Sequence, residues 1–130
     1  MSRQSRKQKP RPVVTDDLET NVSLLLSVWE REWSFHDMVI SSILRISGRV
    51  VITLDDLVLV LTGVTQYTSN LAVVPDDEFS EIWVTPSLTG SGETRTLRVE
   101  TEGGHFEATF HNLRLIRPHD HAVLIPSIDD

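Results

Sequence analysis

The spacing of apolar residues changes once along the chain, at residues 33–40. Before this stretch, apolar residues recur at intervals of three and four, which predicts one face of an α-helix. The residues on this face are Val22, Leu25, Leu26, Trp29 and Trp33. After it, apolar and polar residues alternate in short runs separated by polar turns, which predicts β-strands. One leading helix followed by strands favours an α+β, mainly β fold, with the helix packed on an antiparallel sheet.

The second part of the chain predicts about seven short strands. They cover residues 38–46, 49–54, 57–68, 81–85, 97–100, 106–110 and 113–116. Residues 57–62 are apolar at nearly every position, so we expect them to form the most buried strand. Gly63 interrupts that run and indicates a bulge. Pro86 is expected to end the fourth of these strands, at residues 81–85, and Gly103–Gly104 to form the turn of the clearest hairpin.

Charge and composition divide the 130-residue chain into three parts: a flexible basic tail at 1–14, one β-rich domain with its leading helix at 15–118, and a C-terminal tail at 119–130. Val123, Leu124 and Ile125 are candidates for docking that last tail onto the domain. Five of the twelve basic residues and no acidic residue lie in residues 1–12, which leaves a net charge of −12 on the rest. Such a body repels nucleic acid and membrane phosphates and attracts basic partners.

Composition excludes several classes of protein. The chain has no cysteine, so it has no disulfide framework and no thiolate metal site. It contains no apolar run near the roughly 18 residues of a membrane span and no signal-peptide pattern, so we expect a cytoplasmic protein. Residues 3–11 suggest a nucleic-acid arm as an alternative. The absence of interleaved aromatic residues and the acidic body argue against it.

Histidine offers the best candidate pattern for a metal site. His119 and His121, two positions apart, would face one side of a strand and could chelate zinc together with His105 or His111. However, a histidine pair after Pro118 near a chain end is more typical of solvated side chains. We therefore predict no metal and no cofactor, and keep a histidine-based metal-dependent enzyme as an alternative.

His36 and Asp37 have the composition of a general base with its orienting carboxylate. Adjacent residues of a strand point to opposite faces, which argues against direct pairing. We favour a structural role, in which one of them caps the first strand or satisfies backbone groups beside Trp33. The chain also lacks a phosphate-binding glycine loop, a Gly-x-Ser-x-Gly elbow and a His-Glu-x-x-His helix. We predict that it is not an enzyme.

The candidate binding residues are carboxylates in predicted turns and one tryptophan. They are Asp55, Asp56, Asp76, Asp77, Glu78 and Trp83. The carboxylates do not have the alternating spacing of a calcium loop, and solvated turns explain each cluster alone, but together they form an acidic surface suited to a basic protein. Trp83, between Ile82 and Val84, would anchor an interface if exposed and belong to the core if buried.

The stretch Trp33-Ser34-Phe35-His36-Asp37-x-x-Ile40 resembles the start of the immunity protein 50 family and related small bacterial β-domains. Leu59–Val64 resembles that family's Leu-x-Phe-x-Gly-Val phrase, with Leu61 at the position of Phe. Met38 replaces the family's usual small residue, and the segment after Asn70 does not match. The resemblance implies neutralisation of a cognate toxin by tight binding, without catalytic residues. The alternative is a structural or adaptor domain that assembles through a sheet edge, for example as a homodimer.

Overall fold

The computed structural model describes residues 13–14, 16–75, 78–126 and 128–129. Its helix, α1, spans Leu18–Arg31. The strands are β1 (Val13–Val14), β2 (Val39–Ile46), β3 (Arg49–Leu54), β4 (Leu57–Thr62), β5 (Gln66–Ser69), β6 (Glu81–Thr89), β7 (Arg95–Thr101), β8 (Gly104–Phe110), β9 (Asn112–Arg117), β10 (Ala122–Ile125) and β11 (Ile128–Asp129). The mainly β class with one leading helix is confirmed, and the main sheet has nine strands instead of about seven.

Helix α1 begins where Asp17 caps it. The Asp17 carboxylate accepts hydrogen bonds from the backbone and hydroxyl of Thr20, at 3.0 and 2.9 Å. The buried face consists of Asn21, Leu25, Val28 and Trp29. The predicted face was wrong at Leu26, which is 48% exposed. In the part of the chain that the structure describes, no helix has the length and apolar character needed to cross a bilayer.

The buried face of α1 includes one polar residue, Asn21. Asn21 is fully buried, which periodicity in apolar residues cannot predict. Its amide nitrogen donates to the Asn112 side chain at 2.8 Å and to the Asp16 carboxylate at 3.0 Å. These bonds reduce the cost of burying the amide and tie the start of α1 to β9.

The nine-stranded sheet is antiparallel throughout, in the order β10-β9-β4-β3-β2-β6-β7-β8-β5. Strand β5 continues β4 after a short break, and β9 continues β8. Since β4 pairs with β9 and β5 with β8, the strand order returns to the same two chain segments, and the sheet wraps around one core. A separate two-stranded pair joins β1 to β11.

The break between β4 and β5 depends on Gly63. Its φ of +62° lies in the left-handed region, and a Cβ there would approach the Cβ of His111 to 2.8 Å. Glycine alone combines this backbone with this close approach. The break at Gly63 therefore lies directly beside His111, where the neighbouring β8 passes into β9.

The core lies inside the wrapped sheet and under α1. Leu57, Leu59 and Leu61 of β4 are buried, whereas Val58 and Val60 are half-buried. The prediction that this strand is buried on both faces was therefore wrong, because only its inner face meets the core. An aromatic cluster of Trp29, Phe35, Trp83 and Phe106 fills the end of the core nearest the helix, with ring centroids 5.6–6.4 Å apart.

Two further expectations differ from the structure. Strand β6 continues through Pro86 to Thr89, although Pro86 was expected to end it. Pro86 pairs with Val99 of β7, while β2 contacts β6 only near Ile82. The missing N–H therefore faces an edge where the described residues supply no strand, and the proline is tolerated. Residues 122–125, expected to dock as part of a tail, form β10 and pair with β9.

Candidate functional site

A left-handed turn follows α1 and determines which aromatic side chains face solvent. Trp33, Ser34 and Phe35 have φ values of 55°, 56° and 60°. This conformation costs non-glycine residues roughly 1–2 kcal/mol each, so the surroundings must hold it in place. The turn sends Phe35 fully into the core and leaves Trp33 83% exposed. Trp33, predicted to close the helix face, instead projects from the surface.

Trp83 supports this turn from inside the protein. Its indole Nε1 donates a 2.7 Å hydrogen bond to the carbonyl oxygen of Ser34. Its backbone accepts from the N–H of Asp37 and donates to the carbonyl of Met38, both at 2.9 Å. Trp83 is fully buried, so it is not the exposed interface anchor considered from sequence. It faces the core because it lies on the inner side of β6, against Trp29 and Phe106.

Two chain reversals that carry carboxylates bond to the strands that follow and support the turn. Asp55 and Asp56 form the exposed β3–β4 turn beside the start of β2. The N–H of Asp55 donates to the carbonyl of Val39 at 3.0 Å, and the Asp55 carboxylate accepts from the N–H of Val39 at 3.2 Å. On the far side of β6, the N–H of Glu102 donates to the carbonyl of Ile82 at 3.0 Å.

We name this surface the acidic end. It consists of six exposed residues, Glu32, Trp33, Asp37, Asp55, Asp56 and Glu102. Arg31 and Arg117 line an adjoining depression together with Asp56. The Arg117 guanidinium is paired with Asp120 at 2.9 Å, which raises the pKa of Arg117 and lowers that of Asp120 to about 2. Asp120 thus neutralises the positive charge of Arg117. The carboxylates of the acidic end therefore give this surface a net negative charge.

The remaining carboxylates of the sequence prediction lie elsewhere. Asp76 and Asp77 fall outside the described residues. Glu78 is exposed, and its N–H donates to the carbonyl of Pro75 at 2.8 Å. Among the described residues, no hydrogen bond or ion pair connects Glu78 with the acidic end. The structure thus brings Asp55 and Asp56 together with residues that the sequence prediction did not include.

His36 and Asp37 lie before β2 and not on it, so the strand geometry used against their pairing does not apply. The left-handed backbone of Asp37, with φ 72°, allows its carboxylate to approach His36 Nε2 at 3.4 Å. His36 Nδ1 donates to the carbonyl oxygen of Val84 at 2.9 Å, so it satisfies a backbone group of β6 and not one beside Trp33. Both ring nitrogens face protein oxygens, and the imidazole ties the turn to β6.

The four other histidines are separated. His119 lies in a 3₁₀ turn (Pro118–Asp120), and His121 follows it with a left-handed φ of 59°. The pair is therefore not on a strand, and the predicted chelating geometry was wrong. His105 lies opposite Glu100 in the β7–β8 hairpin, and His111 joins β8 to β9. In the described ranges, no group of three or more His, Cys, Asp or Glu side chains could hold a metal ion.

The exposure of Trp33 was missed because the helical pattern included it. No local signal separates Trp33 from Phe35, because residues two positions apart share a face in a strand and lie on different faces in a helix. Which of the two is buried depends on Trp83, 50 residues later in the chain.

Comparison of the chain with protein-family models, curated proteins and solved structures finds no match.

Proposed function

We propose that the protein is a non-catalytic binding protein of the immunity type, which neutralises a basic partner such as a toxin by covering it with the acidic end. One observation carries this proposal: Trp33 is 83% exposed on a turn whose strained backbone is held by the core. Tryptophan is one of the residue types most enriched among the energetically dominant residues of protein interfaces. Strained backbone of this kind also clusters at binding sites.

The charge around Trp33 supports a basic partner. The exposed carboxylates of Glu32 and Asp37 flank the turn in sequence, and those of Asp55, Asp56 and Glu102 lie in turns next to β2 and β6, in a body whose net charge beyond residue 12 is −12. Such a field speeds the encounter with a positively charged surface and disfavours acidic competitors. Trp33 would then bury its ring in a pocket of the partner, and the bound domain would block the partner's working surface.

The resemblance of residues 33–40 to immunity proteins supports the choice of a toxin as partner. The stretch that carries the resemblance is also the stretch that forms the exposed turn. In this proposal, residues 33–40 have two roles: Phe35 packs in the core, and Trp33 contacts the partner.

A neutralisation assay tests the proposal. The gene immediately upstream in the native host is expressed with and without this protein, and growth is followed. We expect the upstream product to arrest growth and the wild-type protein to restore it. Trp33→Ala should lose protection, while Val73→Ala, which removes another fully exposed apolar side chain, should keep it.

Two results would count against the proposal. One is full protection by Trp33→Ala at the same expression level. The other is no binding to the upstream product together with a stable homodimer in light scattering, which would favour an adaptor that assembles through a sheet edge.

A further inference from the structure

A depression of about 420 Å³ lies between the end of α1 and the sheet. Its inner wall is apolar and comes from separate parts of the chain: Leu24 and Val28 lie one turn apart on α1, Met38 precedes β2, Leu57 begins β4 and Leu124 lies in β10. Val28 and Leu57 are buried, and the other three are half-buried. The volume is in the range of ligand pockets in proteins, so the depression has room for a whole side chain.

The mouth of the depression carries charges of both signs. Among the described residues, they are the carboxylates of Glu32, Asp56 and Asp120 and the guanidiniums of Arg31 and Arg117. The pKa of Arg117 is raised by its hydrogen bond and charge interaction with Asp120, and further by the charge of Asp56. Three carboxylates thus face two guanidiniums, and the C-terminal end of α1 adds negative partial charge. The mouth therefore favours a cation over an anion.

The depression is continuous with the acidic end, because Glu32 and Asp56 belong to both. A partner that covers the acidic end therefore reaches the mouth of the depression. The apolar wall then either keeps trapped water or meets apolar atoms of the partner, and the hydrophobic effect favours the second. The wall thus favours an apolar side chain of the partner, and the mouth favours a positive charge beside it.

We propose that this depression receives an apolar side chain of the partner that has a lysine or arginine next to it. The apolar side chain lies against Met38 and Leu57, and the neighbouring cation meets Glu32 and Asp56. This inference rests on the proposed function and adds the chemistry of the partner's contact surface. The interface then has two anchors, Trp33 in a pocket of the partner and a side chain of the partner in the depression, as expected where dominant residues of the two partners pair.

Hexylammonium, a six-carbon chain that ends in a cation, is the probe. It is titrated into isotope-labelled full-length protein at constant ionic strength while methyl and amide shifts are recorded. We expect saturable shifts of the methyl groups of Leu24, Met38, Leu57 and Leu124, with a Kd on the order of 1–10 mM. Hexanoate, with the same chain and the opposite charge, should bind at least about threefold more weakly. Ethylammonium, which has the charge without the chain, should not shift these methyl groups.

Two charge variants should have opposite effects on the affinity for hexylammonium. Asp56→Asn removes an attracting charge and should weaken binding by about two- to fivefold, whereas Arg31→Gln removes a repelling charge and should strengthen it by a similar factor. Glu93→Gln is the matched control, since Glu93 is an exposed carboxylate in the β6–β7 loop and does not line the depression. It should bind as the wild type does.

A steric variant tests the position of the site. Ser27 is exposed on α1 and lines the depression, so Ser27→Leu should fill part of it and abolish the methyl shifts. Ser23→Leu places the same side chain at an exposed position of the same helix that does not line the depression. It should leave the affinity for hexylammonium unchanged.

Three results would overturn the inference: equal or tighter binding of hexanoate, shifts confined to residues outside the depression, or no binding at about 20 mM hexylammonium. Binding of the upstream gene product separates the inference from the proposed function. If Trp33→Ala loses this binding while Ser27→Leu and Asp56→Asn keep it, the inference is wrong and the proposed function stands. If hexylammonium binds as expected but no upstream product binds the protein, the proposed function is wrong and the cation-selective apolar site stands.

Discussion

The indole Nε1 of the buried Trp83 donates a 2.7 Å hydrogen bond to the carbonyl oxygen of Ser34, in the turn that carries the exposed Trp33. The buried Trp83 therefore helps to keep Trp33 at the surface. Phe35 completes the link, with its ring centroid 5.6 Å from that of Trp83. The packing of the core and the shape of the acidic end are thus coupled through three residues of the turn.

Trp83→Phe removes this hydrogen bond and keeps an aromatic ring in the core. The carbonyl of Ser34 then loses its partner, and we expect the free energy of unfolding to fall by about 1–3 kcal/mol. Trp83→Ala should cost more, about 3–5 kcal/mol, because it also leaves a cavity. Urea unfolding followed by circular dichroism measures both. Trp33→Phe is the control and should stay within about 0.5 kcal/mol of wild type. Equal effects of the two phenylalanine substitutions would show that the bond does not hold the turn.

Ser34→Gly should stabilise the protein. The φ of Ser34 is 56°, and glycine adopts that region without the steric penalty of a Cβ, so we expect a gain of about 0.5–1 kcal/mol. Ser87→Gly, in the interior of β6, should instead cost about 0.5–1 kcal/mol. Thermal unfolding of both variants provides the comparison. A loss of stability in Ser34→Gly as large as in Ser87→Gly would argue against a left-handed turn.

Gly63→Ala should destabilise the protein more than Gly48→Ala. Both glycines have positive φ, but a Cβ at Gly48 meets nothing within 4 Å, whereas one at Gly63 meets His111. We expect a loss of about 1 kcal/mol at Gly48 from the backbone alone, and at least about 2 kcal/mol at Gly63. Denaturant unfolding measures the difference. Equal losses would mean that Gly63 and His111 do not approach each other as closely as described.

Acidic pH should lower the free energy of unfolding, because protonation of Asp120 removes its ion pair with Arg117. Arg117 lowers the pKa of this carboxyl from 3.8 to about 2 in the folded state, so the folded protein binds fewer protons than the unfolded chain between these values. The contribution is complete above the unfolded pKa and is lost as pH falls toward about 2. Asp120→Asn should therefore lower the melting temperature at pH 6 and have little effect near pH 2. A melting difference that does not change with pH would contradict this account.

Sequence patterns predicted the class of the fold because periodicity is a local property. The change of period at residues 33–40, the Gly103–Gly104 hairpin and the break at Gly63 all follow from residues close together in the chain. The strand position of Pro86 and the burial of Asn21 were not predicted, because both depend on residues far away in the chain. Pro86 is tolerated where β6 has an open edge, and Asn21 is buried because Asn112 of β9 accepts its hydrogen bond.

The candidate site was predicted only in part. Asp55 and Asp56 were identified from turn composition, but Trp83 was considered as an anchor when the exposed tryptophan is Trp33. Trp33 completes a helical pattern of apolar residues and Trp83 lies between two apolar residues, so both fit a buried position, and a left-handed turn made of Trp, Ser and Phe has no composition signal. Only the pairing of β6 with the start of β2 decides which indole faces solvent.

The affinity of the protein for the product of the upstream gene, measured by titration calorimetry for wild type and Trp33→Ala, tests the central claim most directly. We predict that Trp33→Ala loses at least about 2 kcal/mol of binding free energy, as interface anchors do, with an unchanged unfolding midpoint. Unchanged affinity of Trp33→Ala for a partner that binds the wild-type protein would contradict the assignment of the acidic end as the binding surface.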